Sequence, residues 1–244
     1  MLSPLVQAPF PGAAAKDRAA EYLGDMSGLD WDHNAYYHRL LLRYLPRPCE
    51  RVLDVGCGAG ALAARLAGRA GHVDALDRSP VMIEAARLAV PGNVTCILGD
   101  VMRDPLPAGH YDAIVSVTAL HHMPLDAALP RLAAALRPGG VLAAVALPRT
   151  DLPREAAAEL AGAAGYRVLG AAFAVLRATG RGGWFERPLS RAAMPVVMDP
   201  PLSTREVRAV AAAALPGARV RRLAYWRYLL VWQRPARPPG APVS

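Results

Sequence analysis

The chain has 244 residues, 53% of them hydrophobic, which is enough to bury the core of one domain. No basic N-terminal cluster precedes an apolar run, and no stretch approaches the roughly 18 apolar residues of a membrane span, so we expect a cytoplasmic protein that is neither secreted nor membrane-bound. The net charge of +8 arises late in the chain, since residues 149–244 sum to about +9.

Two features of the composition narrow the class of partner. Lys16 is the only lysine, and no run of basic residues interleaves with aromatic ones, which argues against a nucleic-acid partner. Cys49, Cys57 and Cys96 lack metal-ligand spacing and cannot all pair within one chain. We therefore expect free thiols in a reducing compartment, and no metal.

Short apolar segments alternate with alanine-rich segments through the first part of the chain. The apolar segments predict strands at Arg51–Val55, His72–Leu76, Val94–Leu98, Tyr111–Val117 and Val141–Leu147. Helices fit between them, so the chain is expected to form a doubly wound α/β fold around a mostly parallel sheet. Such sheets bind ligands at the carboxyl ends of their strands.

The predicted helices have recognisable starts. Leu62 and Leu66 are four residues apart after the first strand, and Ser79-Pro80 is typical of an N-cap followed by proline in the first turn. A third helix is predicted from Pro124 to Leu136.

The pattern changes after the fifth strand. Residues 153–179 are predicted to be helical, and residues 180–187 to form a loop. Ser203-Thr-Arg-Glu206 is a capping box for a helix that runs to about Ala214. Two further strands are predicted at Arg219–Leu223 and Tyr228–Trp232.

The strongest motif is a strand that enters a glycine-rich turn, Val52-Leu-Asp-Val-Gly-Cys-Gly-Ala-Gly60. Glycine permits a tight turn and leaves no Cβ between the backbone and a ligand. The motif contains G-x-G-x-x-A, which is compatible with dinucleotide binding. The glycines alone leave the cofactor open.

Asp54 indicates which kind of cofactor the glycine turn binds. A carboxylate two residues before the first glycine of the turn would repel the pyrophosphate of a dinucleotide. It would favour a ligand with an ammonium and a sulfonium, such as S-adenosyl-L-methionine. Asp77 ends the second strand, where a carboxylate can accept hydrogen bonds from a ribose diol, and Gly99-Asp100 ends the third. The alternative is that Asp77 and Asp100 are solvated strand-end residues.

These motifs together resemble the class I S-adenosylmethionine-dependent methyltransferases, of the small bacterial methyltransferase-domain type. The likeness rests on residues 52–60, Asp77, Gly99-Asp100, residues 111–123 and residues 136–142. It implies a seven-stranded, Rossmann-like sheet whose last strand is antiparallel.

The resemblance also implies which residues bind the cofactor. The methionine end would lie on the glycine turn, with the ribose, the adenine and the far side of the methionine following along the strand ends. The methionine end would contact Asp54, Gly56, Cys57, Gly58 and Gly60. The ribose would contact Asp77 and Arg78, and the adenine Asp100 and Val101. Thr118 and Ala119 would line the far side of the methionine.

Aromatic residues precede this core in the segment Trp31-Asp-His-Asn-Ala-Tyr-Tyr-His38. In similar methyltransferases an aromatic residue of this segment covers the cofactor, so Trp31 and Tyr36 are expected at the cofactor and Tyr37 at the catalytic centre. The alternative is an amphipathic helix whose aromatic side chains bury against the sheet.

His121-His122 follows the fourth strand at the expected active edge. A histidine there can take a proton from a hydroxyl or an amine, because its ordinary pKa lies near neutrality. Alternatively, the pair caps the helix that begins near Pro124.

We therefore expect one domain over residues 1–244 that binds S-adenosyl-L-methionine and methylates O, N or C of a small metabolite. Its parts would be an N-terminal helical cap (1–48), a cofactor-binding core (49–147), a substrate-pocket insertion (148–202), a C-terminal helix with the last strands (203–234) and a loose tail (235–244). Trp184 and Phe185 would form either a lid or core anchors. An RNA or protein methyltransferase that docks through the basic C-terminal half, and a non-catalytic cofactor-binding protein, are alternatives; a monomer and a homodimer are both open.

Overall fold

A computed structural model of the protein describes residues 31–151, 155–179 and 200–236. Its strands are β1 (Arg51–Val55), β2 (His72–Asp77), β3 (Val94–Leu98), β4 (Tyr111–Val117), β5 (Leu136–Ala146), β6 (Arg219–Leu223) and β7 (Arg227–Gln233). They form one seven-stranded sheet in the order β3-β2-β1-β4-β5-β7-β6. β7 runs antiparallel to both neighbours and the other pairs are parallel, which confirms the predicted fold.

Helices cover both faces of this sheet. They are α1 (His33–Leu42), α2 (Ala61–Leu66), α3 (Pro80–Ala89), α4 (Leu125–Ala135), α5 (Ala156–Ala178) and α6 (Thr204–Ala214), with a 3-10 turn at Leu120–His122. Strand side chains alternate between the faces, so Val52 packs into the core beneath α1 and α2 while Leu53 packs into the core beneath α4 and α6. None of the helices in the described ranges is both long and apolar enough to span a bilayer.

The helix starts follow from local hydrogen bonds. Ser79 Oγ accepts from Met82 N at the start of α3. At α6 the predicted capping box is confirmed, because Ser203 Oγ accepts from Glu206 N and the Glu206 carboxylate accepts from Ser203 N at 2.8 Å.

The largest difference between a predicted and an observed strand lies at the start of β5. β5 starts at Leu136 instead of Val141, and its pairing with β4 shifts between Tyr111 and Ala113. A Cβ at Gly140 would lie 3.1 Å from the carbonyl oxygens of both Tyr111 and Asp112. Gly140 therefore allows a close backbone approach between β5 and β4. The predicted loop 180–187, with Trp184 and Phe185, and the end of the chain from residue 237 lie outside the described residues.

The turn after β1 sets the active edge of the sheet. Gly56 N and Cys57 N both donate to Leu76 O of β2, at 2.8 and 3.0 Å. Gly56 has φ +70°, and a Cβ built on it would lie 2.3 Å from Ala119 Cβ. This position thus requires glycine for its backbone conformation and for contact with the turn after β4.

Gly56→Ala is expected to lower the free energy of unfolding by about 2–4 kcal/mol, because backbone strain and overpacking add. Gly109→Ala is the matched control, since Gly109 also has positive φ but a Cβ there would meet nothing within 4 Å. Gly109→Ala should lower the free energy of unfolding by only about 1 kcal/mol. Urea unfolding of both variants measures the difference; equal costs would show that the Ala119 contact does not constrain the turn.

Candidate functional site

A cavity of about 630 Å³ lies where the parallel strands end. This volume is within the range of roughly 300–1,000 Å³ that small-molecule sites occupy. The cavity is lined by every residue predicted at the glycine turn and at the following strand ends: Asp54, Gly56, Cys57, Gly58, Gly60, Asp77, Arg78, Asp100, Val101, Thr118, Ala119, His121 and His122. The fold therefore brings these predicted residues to one place.

The glycine turn forms part of the cavity wall. Gly58 and Gly60 have φ of +53° and +82°, as the sharp turn from β1 into α2 requires. A Cβ at Gly60 would lie 2.7 Å from Val90 Cγ1. The turn consequently packs against the end of α3 on one side and leaves bare backbone facing the cavity on the other.

Asp54 is the least satisfied polar group of the cavity wall. Its side chain is 1% exposed, and neither carboxylate oxygen has a partner at ordinary hydrogen-bond geometry among the described residues; the nearby Ala63 N–H lowers the pKa of Asp54 less than burial raises it. Burial, together with the nearby negative charge of Asp77, raises the Asp54 pKa to about 8. A cationic ligand group beside Asp54 would supply the partner that the fold leaves out.

Asp77 and Asp100 bind backbone as well as facing the cavity. The Asp77 carboxylate accepts from Gly58 N and from Ser79 N, each at 2.9 Å. Asp100 Oδ1 accepts from Met102 N at 2.8 Å. A carboxylate has about four acceptor positions, so both side chains keep capacity for a ligand while they hold the turns in place.

The turn after β4 places the histidine pair in the same cavity. Thr118 has φ +55°, a strained conformation for a β-branched residue, and donates its N–H to Val145 O at 2.7 Å. The rings of His121 and His122 lie 4.1 Å apart. Burial, the neighbouring His122 and Arg227 lower the pKa of His121 to about 3, and burial and Arg78 lower that of His122. His121 is therefore neutral at physiological pH.

The expectation that an aromatic residue covers the cavity is corrected by the position of α1. Trp31 is fully buried and its Nε1 donates to Tyr166 O at 3.3 Å, while the Tyr37 hydroxyl donates to Ala224 O. Tyr36 packs edge-on against Trp31. Trp31, Tyr36 and Tyr37 thus lie outside the cavity lining, in an aromatic cluster between α1, α5 and the β6–β7 turn.

In their place α1 presents polar side chains to the cavity. Asn34 and His38 lie on its wall, and His38 is 4% exposed with no hydrogen-bond partner for Nδ1 in the described part of the chain. Burial and the charge of Arg65 lower the His38 pKa to about 3. Asn34 and His38 are four residues apart, which puts both side chains on one face of the helix. This spacing could have been read from the sequence as a sign that both face the cavity.

Arg227 is a site residue that sequence reasoning missed. It is 4% exposed, lines the cavity and donates from Nη2 to Asn34 Oδ1 at 3.0 Å. Nη1 donates to the carbonyl oxygens of Tyr225 and Trp226. β7 runs opposite to its neighbours β5 and β6, so its first residue lies at the edge where those strands end. This topology, which the local sequence does not specify, is what places Arg227 in the site.

Cys57 contributes shape to the wall rather than a nucleophile. Its thiol is buried and its pKa is raised by burial and by the charges of Asp54 and Asp77, so the sulfur stays protonated. All three cysteines are free. Within the ranges the structure describes, no group of three or more His, Cys, Asp or Glu is arranged to hold a metal ion.

Sequence comparisons with known proteins find methyltransferases. A family model described as a methyltransferase domain matches residues 52–140. An uncharacterized methyltransferase of Mycobacterium tuberculosis is 36% identical over 207 residues, which covers 84% of this chain and 98% of the relative. A ubiquinone biosynthesis O-methyltransferase of Methylocella silvestris is 39% identical over 118 residues, 44% of each chain.

A solved structure shares the fold. The S-adenosylmethionine dependent methyltransferase from Mesorhizobium loti aligns with a TM-score of 0.55 and 18% identity, over 83% of this chain and 99% of that chain. At this level of identity the likeness extends to the Rossmann-like architecture alone.

The neutral state of His38 and His121 makes stability depend on pH. Their folded-state pKa values of about 3 lie below the ordinary 6.5, so the unfolded chain binds more protons as the pH falls below about 6.5. Between pH 8 and pH 5 each histidine should remove about 2 kcal/mol from the free energy of unfolding.

Urea unfolding of wild type, His38→Gln and His121→Gln at pH 8 and pH 5 tests this. Each variant should lose less stability than wild type when the pH falls from 8 to 5. The free energy of unfolding of each variant at pH 8 measures the packing that the substitution removes, apart from any titration. A variant that keeps the wild-type acid loss would contradict the assignment for that histidine.

Proposed function

Since the chain belongs to the class I S-adenosylmethionine-dependent methyltransferases, we propose that it transfers the methyl group of S-adenosyl-L-methionine to an oxygen, nitrogen or carbon atom of a small-molecule acceptor. The observation that carries this proposal is the meeting of three strand-end carboxylates and a glycine turn in one cavity. Asp54 is the penultimate residue of β1, Asp77 ends β2 and Asp100 follows β3, and all three line the same cavity.

The residues present fit this cofactor. The buried Asp54 carboxylate, without a hydrogen-bond partner among the described residues, suits a ligand end that carries ammonium and sulfonium charges. The bare backbone of Gly56, Gly58 and Gly60 leaves room for that end at the start of α2. We assign Asp77, flanked by Arg78, to the ribose and Asp100 with Val101 to the adenine, and Thr118 with Ala119 to the far side of the methionine.

The protein's own contribution is positioning and exclusion of water. When bound, the cofactor supplies a methyl group activated by its sulfonium. Holding an acceptor atom in line with that methyl in a closed cavity can supply roughly 7–11 kcal/mol of rate enhancement. The pKa of about 3 makes His121 a weak base at neutral pH, so its role in this proposal is to accept a hydrogen bond from the acceptor and orient it.

The positive charge of residues 149–244 supports a second candidate, an RNA or protein methyltransferase that docks on this half of the chain. A polyanionic partner would bind with affinity that falls steeply as salt rises. A filter-binding assay with total bacterial RNA at 50 and 200 mM salt separates this candidate from a small-molecule enzyme, for which no such binding is expected.

Asp77→Ala is expected to weaken S-adenosylmethionine binding by more than tenfold, about 1.4 kcal/mol, because the ribose and the Gly58 turn both lose a carboxylate. Isothermal titration of wild type and variant measures the change. Asp126→Ala, which removes an exposed carboxylate outside the cavity, is the matched control and should bind as wild type does.

The same titration with NADH checks the alternative cofactor. Micromolar binding of S-adenosylmethionine without binding of NADH supports the proposal. Binding of NADH instead, or of neither ligand, would overturn it. A protein that binds the methyl donor but transfers no methyl group to any acceptor in a broad metabolite panel would be a cofactor-binding protein rather than an enzyme.

Asp54 should make cofactor affinity depend on pH. With a pKa of about 8 the free carboxyl is mostly protonated at pH 6 and 7, and a cationic ligand favours the ionised form. Affinity is therefore expected to rise from pH 6 to pH 8, by up to about tenfold per pH unit. Asp54→Asn should bind more weakly at pH 8 and lose this slope; an Asn variant that keeps the slope would assign it to another group.

A further inference from the structure

The long helix α5 is apolar on its outer side as well as on its inner side. Its inner side packs through Tyr166 and Phe173 against the core beneath α1 and α2. On the outer side Leu160, Val168 and Val175 are 73%, 68% and 63% exposed. At 3.6 residues per turn these three positions fall within about 80° of arc and extend along roughly 22 Å of helix. Large hydrophobic side chains thus form a continuous exposed row.

Small apolar residues fill the spaces of this row. Ala164 and Ala171 occupy the positions between the three larger side chains, and both are exposed. The five residues together are called the apolar stripe: Leu160, Ala164, Val168, Ala171 and Val175. None of the charged residues of α5, which are Glu159, Arg167 and Arg177, holds a stripe position. A helix that is apolar all round is ordinarily covered, so we expect a partner surface over the stripe.

Exposed arginines lie on the same face of the sheet as the stripe. Arg167 is on α5 itself, and Arg39 and Arg43 are on α1 and at its end. Val220 of β6 packs into the core on the opposite face, so the alternation of the strand puts the exposed Arg221 on the face of α1 and α5. The partner surface therefore meets positive charge beside the stripe.

Two exposed glutamates close to this face are paired within the chain. Glu84 on α3 lies 2.6 Å from Arg87, and Glu50 before β1 lies 3.5 Å from Arg137. Because each already has a cation of its own, neither cancels the charge of the arginines beside the stripe. The surface around the stripe is consequently basic.

The combination of an apolar stripe and a basic surround distinguishes between kinds of partner. A second copy of this chain would turn the same basic face toward itself, which like-charge repulsion opposes. Nucleic acid matches the charge, but its phosphate exterior gives the stripe nothing apolar to contact. An anionic bilayer offers acyl chains to the stripe and negative headgroups to the arginines.

We propose that the apolar stripe of α5 binds a lipid bilayer surface that carries anionic headgroups, and that the exposed arginines beside it contact those headgroups. α5 then lies along the bilayer surface. Such a contact needs no spanning helix, so the lack of one in the described ranges does not oppose it. No described residue of α5 lines the cavity, and this inference does not depend on the proposed function.

Vesicle co-sedimentation of the full chain tests the inference. Vesicles of phosphatidylcholine alone are compared with vesicles that contain about 30% phosphatidylglycerol, at low salt. The protein is expected to bind the anionic vesicles at least tenfold more tightly than the neutral ones. Higher salt should weaken this binding, because it screens the arginines from the headgroups.

A charge in the middle of the stripe should prevent the contact. Val168→Glu is expected to bind anionic vesicles at least tenfold more weakly than wild type. Leu88→Glu is the matched control, since Leu88 is 91% exposed on α3 and should tolerate the change without effect on vesicle binding. Val175→Glu repeats the test if thermal unfolding shows that Val168→Glu does not fold.

The contribution of the arginines is measured separately. Arg167→Gln should bind anionic vesicles about fivefold more weakly, and its binding to neutral vesicles should not change. Arg205→Gln removes the same charge from an exposed position on α6, whose inner side packs on the opposite face of the sheet. It should bind both kinds of vesicle as wild type does.

Several outcomes would overturn the bilayer contact. They are no binding of the wild type to anionic vesicles, wild-type binding by Val168→Glu, and an equal loss in Leu88→Glu. A dimer in light scattering that Val168→Glu dissociates would assign the stripe to a second copy instead. Titration with S-adenosylmethionine reads the cofactor site independently, so its failure would overturn the proposed function and leave the vesicle result standing.

Discussion

The exclusion of a side chain at Gly56 is the constraint on which the site depends. The backbone there turns at φ +70° with Ala119 Cβ in the space that its own Cβ would fill, and its N–H binds Leu76 O. The ends of β1, β2 and β4 are thereby packed against one another. This close approach is what brings Asp54, Asp77 and His121 to a single cavity instead of three separate surface turns.

The cavity wall concentrates polar groups that the fold itself does not satisfy. Asp54, His38 and His121 are each less than 10% exposed and each has a buried atom without a hydrogen-bond partner among the described residues. Such groups reduce stability, and native proteins retain them chiefly at functional sites. Burial keeps the Asp54 carboxyl and both imidazoles mostly neutral near pH 7.

The residues that line the cavity differ in whether the family model covers them. The residues at the glycine turn and at the ends of β2 and β3 lie within the matched range 52–140. Asn34, His38 and Arg227 lie outside it, on α1 and β7. A shared core that binds the cofactor and a variable periphery that meets the acceptor are consistent with many substrates on one fold.

Local patterns in the sequence determined much of this protein. The strand periods, the Ser79 and Ser203 caps and the glycine turn are decided by neighbouring residues, and their positions in the structure follow the predictions closely. Three successive strand ends then placed the acidic residues at one edge, because parallel strands joined by helices share a direction.

Only the tertiary structure decided the rest. The Asn34–Arg227 contact joins residues 193 positions apart, and the burial of Trp31 depends on α5 and the β6–β7 turn. Whether an aromatic or a polar face of α1 meets the cavity is set by the partners of that helix, since both faces contain residues suited to a site. The early start of β5 likewise follows from its pairing with β4, which no local signal at Gly140 specifies. Local conformation is encoded by adjacent residues, whereas these features depend on packing between segments that are distant in the chain.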